Sequence, residues 1–386
     1  MRLGQWMQLR ASSFELRVSS RRTQASNALN YGVVPGSLAH MQLNPRIGLG
    51  LAAIPVFFLA LMISGCGETV APIPERTVVA PPVASPIPAV VAARSFVAKH
   101  VVVIVMDGPR WSETWGEPTR KYIPHMATEL APLGALWTDF ANDGATQTTA
   151  GHTAITTGFY QNINNKGEAL PARPSIFQRL VKARGGVAEV AWIISSKDKL
   201  AVLSDTTDPA WTGQWQCRSD CGIDGRGVTG GYRDDAQTWE RVQIILPRDH
   251  PSLVLINLRE PDSSGHGKDW PGYLRGIREG DLIIKQLWDL IQADPVYRNT
   301  TDLFVTNDHG RHPDGHKDGF VSHGDDCFGC RKISLLAIGP DIPAGAVFTQ
   351  HRSLIDLGVT VAKILGVEHE GSQGKILDEV LTAPKP

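Results

Sequence analysis

Acidic and histidine side chains follow the ends of three strongly apolar segments of the sequence. Asp107 closes the run VVVIVMD, the segment EPDSSGH with Asp262 and His266 follows SLVLINL, and Asp308-His309 closes DLFVTND. The four-residue spacing of Asp262 and His266 would place both side chains on one face of a helical turn. Asp308 and His309 are adjacent, so both can act at one site only if the strand ends there.

Carboxylate oxygens and imidazole nitrogens on a rigid frame are the ligands that a hydrolytic zinc centre requires. Gly310 follows the Asp308-His309 pair and permits the turn that would let both side chains reach one site. Each residue taken alone is more often a helix cap or a packed histidine. The combination predicts a metal centre beyond these strands.

The apolar segments alternate with segments of helical periodicity. Near-continuous apolar runs indicate strands whose two faces are both covered, and they lie at 101–107, 187–195, 252–258, 302–308 and 333–339. Helical spacing occurs at 174–186, 235–246, 273–294 and 353–367. This alternation predicts an α/β three-layer sandwich around a mainly parallel sheet, which binds ligands beyond the carboxyl ends of its strands. Residues 196–234 have weak periodicity and are predicted as an insertion near the site.

The N-terminal part of the chain has the layout of a signal peptide. Residues 47–63 form an uncharged apolar run, preceded by Arg46 and followed by Ser64-Gly65-Cys66. The run is shorter than a comfortable membrane span of ~20 residues. The segment ending in Cys66 resembles a bacterial lipobox, in which the cysteine is lipidated and becomes the mature N-terminus. An uncleaved N-terminal anchor is the alternative.

This signal divides the chain into three parts. We expect an upstream extension and signal peptide at 1–65, a Pro/Ala-rich tether at 66–96 and one folded domain at 97–386. Gly67 is not the Asp that commonly retains lipoproteins in the inner membrane. The sequence therefore predicts a periplasm-facing lipoprotein, held to the outer membrane by its lipid anchor.

Four further cysteines form two close pairs, Cys217 with Cys221 and Cys327 with Cys330. In an oxidising compartment each pair is predicted to form a local disulfide. The alternative is a zinc site made of all four thiolates, which the unequal spacings of the two pairs disfavour.

The composition limits the partners of the protein. The 386 residues carry 38 Lys and Arg against 39 Asp and Glu, for a formal net charge of −1. A chain so nearly neutral has no general attraction for a polyelectrolyte, so a nucleic acid polymer is not expected as a partner.

The order and type of the candidate ligands resemble those of the alkaline phosphatase superfamily. The closest motif match is to its nucleotide pyrophosphatase/phosphodiesterase branch, in which the first strand ends in Asp-Gly-x-Arg, as residues 107–110 do here. A second motif of that branch, Glu-Pro-Asp-Ser-Ser-Gly-His, is identical to residues 260–266. The resemblance covers about 98–382. It implies two zinc ions, with manganese as the alternative, and the hydrolysis of small-molecule phosphoric esters through a covalent phospho-enzyme.

The resemblance also implies which residues bind the two ions. The two sets are Asp262, His266 and His323 for one zinc, and Asp107, Asp308, His309 and the nucleophile for the other. His312 and His316 lie in the same loop as His323 and are the alternatives to it. Only the Gly that follows His323 and the downstream strand favour it.

The family places its nucleophilic Thr or Ser four residues before a His that opens a helix. In this sequence that histidine is His152, so the nucleophile is Thr148. Thr146 and Thr149 are competing hydroxyls, since either could simply cap a helix. The Pro that the family has two residues before the histidine is Ala150 here.

In the diesterase branch an Asn downstream of the nucleophile helps to hold a phosphoryl oxygen. Asn164 and Asn165 fit this role better than Asn162, and Arg110 is a weaker candidate for substrate binding. The alternative for the asparagines is an ordinary turn-rich loop.

Other functions remain open. A phosphomonoesterase and a relative of the phosphoglycerate and phosphopentose mutases share the metal pattern, and the fourteen residues from His309 to His323 resemble the short separation found in the mutases. Export argues against a mutase, because the metabolites of those enzymes are cytoplasmic. A catalytically silent envelope lipoprotein that binds a glycan or another partner is the non-enzymatic alternative, which the apparently complete ligand set disfavours.

Overall fold

The computed structural model describes residues 96–227 and 230–382, without the side chains of residues 381 and 382. The predicted signal peptide, Cys66 and the tether up to residue 95 lie outside the described residues. Within the described ranges, no helix combines the length and the apolar character needed to cross a bilayer.

The strands of the described residues form one sheet. Their bounds are β1 His100–Met106, β2 Gly134–Ala141, β3 Ala191–Ser195, β4 Arg218–Cys221, β5 Leu253–Leu258, β6 Thr301–Thr306, β7 Lys332–Ile338, β8 Ala346–Phe348 and β9 Arg352–Ser353. The order across the sheet is β4-β3-β5-β1-β6-β7-β2-β8, and β9 also pairs with β2. Among the described strands only β7 runs antiparallel to its neighbours. The sheet is therefore mainly parallel, as predicted.

Helices cover both faces of the sheet. Their bounds are α1 Thr148–Thr157, α2 Ile176–Ala183, α3 Asp235–Asp249, α4 Asp262–His266, α5 Trp270–Ala293, α6 Phe328–Arg331, α7 Leu354–Ile364 and α8 Asp378–Thr382. Apolar residues of α1, α2 and α7 pack in one core, and those of α3 and α5 pack in another. The predicted three-layer sandwich is confirmed.

Burial on both faces explains why the sequence of β1 is apolar without interruption. Val101, Val103 and Val105 belong to the core under α1, whereas Val102 and Ile104 belong to the core under α5. Because successive side chains of a strand point to opposite faces, a strand covered on both faces must be apolar at every position. Each such side chain stabilises the fold by about 1.5–3 kcal/mol when it is fully buried.

The predicted strands and helices all occur, with ends that shift by a few residues. Strand β2 was not predicted, because Thr138 and Asp139 interrupt its apolar pattern and its register against β7 shifts between Trp137 and Phe140. The predicted insertion 196–234 is partly wrong. Its residues Arg218–Cys221 form β4, which extends the sheet beside β3.

The structure does not contain the two predicted disulfides, since Cys217, Cys221, Cys327 and Cys330 are all free thiols. Cys217 directly precedes β4 and Cys221 ends it, so extended chain separates them. Four residues at a rise of about 3.3 Å each span about 13 Å. A disulfide requires Cα atoms within about 7 Å, so this pair cannot close without rebuilding the strand.

Candidate metal centre

The carboxyl ends of β5, β1 and β6 lie side by side at one edge of the sheet. Asp107 directly follows β1, Asp262 is the first residue of α4 after β5, and Asp308 follows β6 after one intervening residue. All three side chains are buried. The structure therefore brings the predicted aspartates together at one site.

Helix α1 reaches this site because glycine lets it approach the end of β6. A Cβ atom at Gly151 would lie 2.6 Å from the carbonyl oxygen of Asp308, which is too close for any larger residue. The approach brings Thr148 and His152 of α1 to the aspartates. Gly310 also permits a close approach of two chain segments, since a Cβ there would lie 2.1 Å from the carbonyl oxygen of Gly329.

A first group of candidate ligands consists of Asp107, His152 and Asp308, whose ligand atoms lie within 4.8 Å of one another. Burial and the charge of Asp107 raise the pKa of Asp308 well above its usual range. The Oδ2 atom of Asp308 is buried and forms no hydrogen bond. Two buried carboxylates with an uncompensated oxygen fit a bound cation.

A second group consists of Asp262, His309 and His323, again within 4.8 Å of one another. His266 joins it, with Nε2 3.1 Å from His323 Nε2 and 3.3 Å from Asp262 Oδ1. Two imidazole nitrogens facing each other at that distance need a proton or a metal ion between them. The structure thus brings His323, rather than the alternative histidines of its loop, to Asp262.

His309 lies between the two groups. Its Nε2 is 3.3 Å from Asp308 Oδ2 and 3.6 Å from Asp107 Oδ1, and its ring stacks on that of His323 with centroids 3.7 Å apart. The resemblance assigns His309 to the set of Asp107 and Asp308, but its ligand atom also groups with Asp262. The same buried Nε2 forms no hydrogen bond.

Three histidines of the centre share one hydrogen-bonding pattern, in which Nδ1 lies against a backbone carbonyl. The contacts are His152 with Thr148 O at 2.8 Å, His309 with Gly310 O at 2.9 Å and His323 with Thr146 O at 2.7 Å. A carbonyl only accepts, so Nδ1 must carry the proton and Nε2 keeps its lone pair. In His309 and His323 that lone pair can bind a metal, whereas in His152 it already accepts from Asn257 Nδ2 at 3.3 Å. Burial also lowers the pKa of His152 to about 4, which keeps its ring neutral. This is the state in which histidine binds a metal.

A buried lysine that the sequence analysis missed lies inside the centre. Lys197 Nζ is 2.9 Å from Asp107 Oδ1 and 2.6 Å from Asp262 Oδ2, and it donates to Thr148 Oγ1 at 3.1 Å. Burial alone would lower the pKa of Lys197, but the charges of Asp107 and Asp262 raise it, so the ammonium is retained. Arg311 supplies a second buried cation against Asp262.

Lys197 lies within the segment predicted as an insertion, where no pattern distinguishes it. Asn257 was missed as well, although one polar residue in the apolar run SLVLINL was a usable signal. Its Nδ2 donates to Asp107 Oδ2 at 3.0 Å, and its Oδ1 accepts from Ser195 at 3.0 Å. Asn257 therefore fixes the orientation of the Asp107 carboxylate.

The three competing hydroxyls have different surroundings. Thr148 Oγ1 faces the Lys197 ammonium, as described above. Thr146 Oγ1 donates to the carbonyl of Asp325 at 2.6 Å, which engages it in the loop. Thr149 Oγ1 is buried without a hydrogen-bond partner. Of the three, Thr148 is the hydroxyl that lies against the buried cation of the centre.

The two candidate asparagines also differ. Asn165 Oδ1 accepts from the backbone N–H of Thr149 at 3.0 Å and from Lys199 Nζ at 2.9 Å, next to the start of α1. Asn164 is exposed, and its Oδ1 accepts from the backbone N–H of Lys166. The structure brings Asn165 to the site and does not bring Asn164.

The Arg110 side chain forms ion pairs with residues outside the candidate centre. Its buried guanidinium pairs with Glu113 and with Asp314, each at 2.7 Å. These ion pairs occupy it within the surrounding loops, so it is not aimed at the aspartates.

Comparisons with known proteins show similar sequences over part of the chain and similar folds over most of it. Residues 191–369 match the model of the Metalloenzyme superfamily. Phosphopentomutase of Symbiobacterium thermophilum is 30% identical over 159 residues, which are 40% of this chain and 37% of that enzyme. The chain thus spans little more than a third of the length of the curated relatives it matches.

Solved structures share the fold over a larger part of the chain. Phosphonate monoester hydrolase from Silicibacter pomeroyi has a TM-score of 0.54 and 15% identity, covering 74% of this chain and 77% of that one. A protein in the alkaline phosphatase superfamily from Vibrio parahaemolyticus has a TM-score of 0.51 and 17% identity, covering 75% and 71%. Residues 191–369 therefore resemble the Metalloenzyme superfamily, and the chain shares the fold of these solved structures.

Proposed function

We propose that the protein is an exported, metal-dependent hydrolase of phosphoric esters, in which Thr148 attacks phosphorus and forms a phosphothreonine. The observation that carries this proposal is the position of Thr148 Oγ1. The hydroxyl is buried at the first residue of α1, 3.1 Å from the ammonium of Lys197. Lys197 in turn contacts one aspartate of each ligand group.

Two divalent ions fit the candidate ligands. Asp107, Asp308 and His309, with the Thr148 hydroxyl, would hold one ion. Asp262, His266 and His323 would hold the other. Bound ions would lower the pKa of a coordinated hydroxyl and neutralise charge on the phosphoryl group. The mixture of imidazole and carboxylate ligands supports zinc, with manganese as the alternative.

The residues of the chain itself supply the rest of the chemistry. Lys197 lies against the attacking oxygen and stabilises negative charge there as the hydroxyl proton leaves. In the first turn of α1 the backbone N–H of Thr149 donates to Asn165 Oδ1. The N–H groups of Thr148 and Ala150 have no intrahelical partners and can bind the non-bridging oxygens of the substrate. The Oγ1–P bond forms as the ester P–O bond breaks and the leaving alcohol takes up a proton. Water then hydrolyses the phosphothreonine.

Two substrate types have support within this reaction class. The motif at residues 260–266 favours a phosphodiester or a nucleotide pyrophosphate. A phosphomonoester carries an additional negative charge and needs an additional cation. Lys197 lies at the nucleophile, and Lys199 lies 2.9 Å from Asn165 Oδ1 beside it. These two lysines make a phosphomonoesterase the second candidate.

A phosphomutase has separate support, because a phosphopentomutase is 30% identical over 40% of the chain. A mutase would return the phosphoryl group from Thr148 to a sugar, whereas a hydrolase transfers it to water. Release of inorganic phosphate from a sugar phosphate, without isomerisation, distinguishes hydrolysis.

The export signal supports the location of this activity. The uncharged run 47–63 followed by Cys66 favours a lipid anchor and a periplasm-facing domain. An exported enzyme would meet small phosphoesters outside the cytoplasm. It would be held to the outer membrane by the lipid on Cys66.

Thr148→Ala tests the proposal, with Thr149→Ala as the matched control in the next residue. We expect Thr148→Ala to abolish turnover of bis(p-nitrophenyl) phosphate and p-nitrophenyl phosphate and to retain bound metal. Thr149→Ala should retain most activity. Chelation should stop the reaction, and zinc should restore it. Full activity in Thr148→Ala would contradict the covalent scheme, and a wild-type protein inactive on both esters would favour a silent binding lipoprotein.

A further inference from the structure

A second cluster of metal-ligating side chains lies outside the candidate centre. His312, Asp325, Cys327 and Cys330 each offer one ligand atom, and these atoms lie within 4.8 Å of one another. A tetrahedral zinc with Zn–S of about 2.3 Å and Zn–N of about 2.0 Å places its ligand atoms about 3.3–3.8 Å apart. Small side-chain movements would therefore close the cluster on one ion.

His312 is prepared to act as a ligand. Its side chain is 2% exposed, and its Nδ1 lies 2.9 Å from Asp318 Oδ1. Its Nε2 forms no hydrogen bond and points toward Asp325, with Oδ2 at 3.3 Å. A buried ring nitrogen without a partner is unfavourable unless something binds it. A carboxylate on one ring nitrogen and a metal on the other is the usual arrangement of a metal-bound histidine.

The two cysteines face each other across the start of α6. Cys330 is buried, Cys327 is half-buried, and the backbone N–H of Cys330 donates to Cys327 Sγ at 3.4 Å. A backbone donor to sulfur stabilises a thiolate, which is the form that binds metal. Two sulfur ligands favour zinc over magnesium or calcium.

The charges of the cluster also suit a zinc ion. Two thiolates and the Asp325 carboxylate would leave a divalent ion with one excess negative charge. Lys317 Nζ, 2.7 Å from Asp325 Oδ2, offsets it. Binding would release the proton of each thiol to solvent.

We propose that His312, Asp325, Cys327 and Cys330 form a structural zinc site that is separate from the catalytic centre. Four protein ligands leave no open position for a substrate, which is typical of structural zinc. A zinc ion bound there would fix the position of the loop that carries His323. The backbone of Asp325 already accepts a hydrogen bond from Thr146 at 2.6 Å, two residues before the proposed nucleophile.

Cobalt substitution tests this site selectively, because the candidate ligands of the catalytic centre include no cysteine. The cobalt-loaded protein should have thiolate-to-cobalt charge-transfer absorption in the near ultraviolet, and Cys330→Ser should abolish it. Cys217→Ser is the matched control, because it removes a buried free thiol just before β4 and should leave the band unchanged. Zinc content by plasma emission should fall by one ion per chain in Cys330→Ser only.

His312→Gln keeps both thiols and provides a second variant. Circular dichroism can verify that this variant folds. The substitution should weaken zinc retention against a chelator at least tenfold. The proposal is overturned if the wild-type protein has no thiolate band, if Cys327 and Cys330 are linked by a disulfide, or if Cys330→Ser keeps its full zinc content. These outcomes are independent of the reaction at Thr148, which has its own test.

Discussion

Replacement of Lys197 by Met probes the electrostatics of the centre, because it removes a buried cation and keeps a side chain of similar length. The ammonium contacts Asp107 at 2.9 Å and Asp262 at 2.6 Å, and its residue is 1% exposed. Removing one partner of a buried ion pair costs about 3–5 kcal/mol, since it leaves a buried charge uncompensated. Here Asp262 would keep Arg311, whereas Asp107 would keep only the hydrogen bond from Asn257. We expect that loss in the free energy of unfolding of the metal-free protein.

Bound metal should reduce the loss in the free energy of unfolding that Lys197→Met causes. Divalent ions bound to the two ligand groups would compensate the same carboxylates, so Lys197→Met should differ much less from the wild type in zinc than in chelator. Urea unfolding of both proteins under both conditions measures the difference. The control is Lys363→Met, an exposed lysine in the last turn of α7, which should cost less than about 1 kcal/mol.

The kinetic effect of Lys197→Met follows from the same geometry. Loss of one preorganised donor at a reacting oxygen typically lowers kcat by about 10²–10³. If Lys197→Met destabilises the protein equally in zinc and in chelator, the electrostatic reasoning is refuted. An unchanged kcat in the metal-loaded variant would also refute it.

Three further predictions concern other parts of the chain. Burial raises the pKa of Asp281 to about 6, above about 3.9 in the unfolded chain, so its stabilising effect is complete below pH ~4 and is lost as pH rises through ~6. Asp281→Asn should remove this dependence, and an unchanged difference in urea midpoint between pH 4 and 7 would contradict it. Asn165→Ala should lower kcat/KM about tenfold by releasing two donors, whereas Asn164→Ala should leave it unchanged; equal effects would contradict the assignment. Cys66→Ser should release the protein from membranes or block its processing, which fractionation and mass spectrometry would detect, and an unchanged mass and membrane fraction would defeat the lipoprotein prediction.

The fold was predictable because its central strands are covered on both faces. An uninterrupted apolar run such as 101–107 has few interpretations other than a buried strand, and helical periodicity between such runs implies the layers. Strand β2 and β4 were not predictable in this way, because β2 contains polar residues at a register shift and β4 is a polar edge strand.

The candidate site was predictable where residue type and spacing are informative. Asp107, Asp262 and the Asp308-His309 pair follow strands, so topology alone brings them together. Lys197 and Arg311 were not identified, because a lysine or arginine in a loop is usually exposed and only the folded chain buries these two among carboxylates. The cysteine pairs were assigned as disulfides from spacing, which carries no information about the extended conformation between Cys217 and Cys221.

The most direct test of the central claim is to identify the residue that becomes phosphorylated during turnover. The metal-loaded protein would be mixed with a phosphoester, quenched in acid within the first turnover and analysed by peptide mass spectrometry. We predict one phosphoryl group on Thr148, which is absent when the metal has been removed by a chelator. Phosphate on Thr149, or steady turnover with no phosphopeptide at any quench time, would contradict the proposed mechanism.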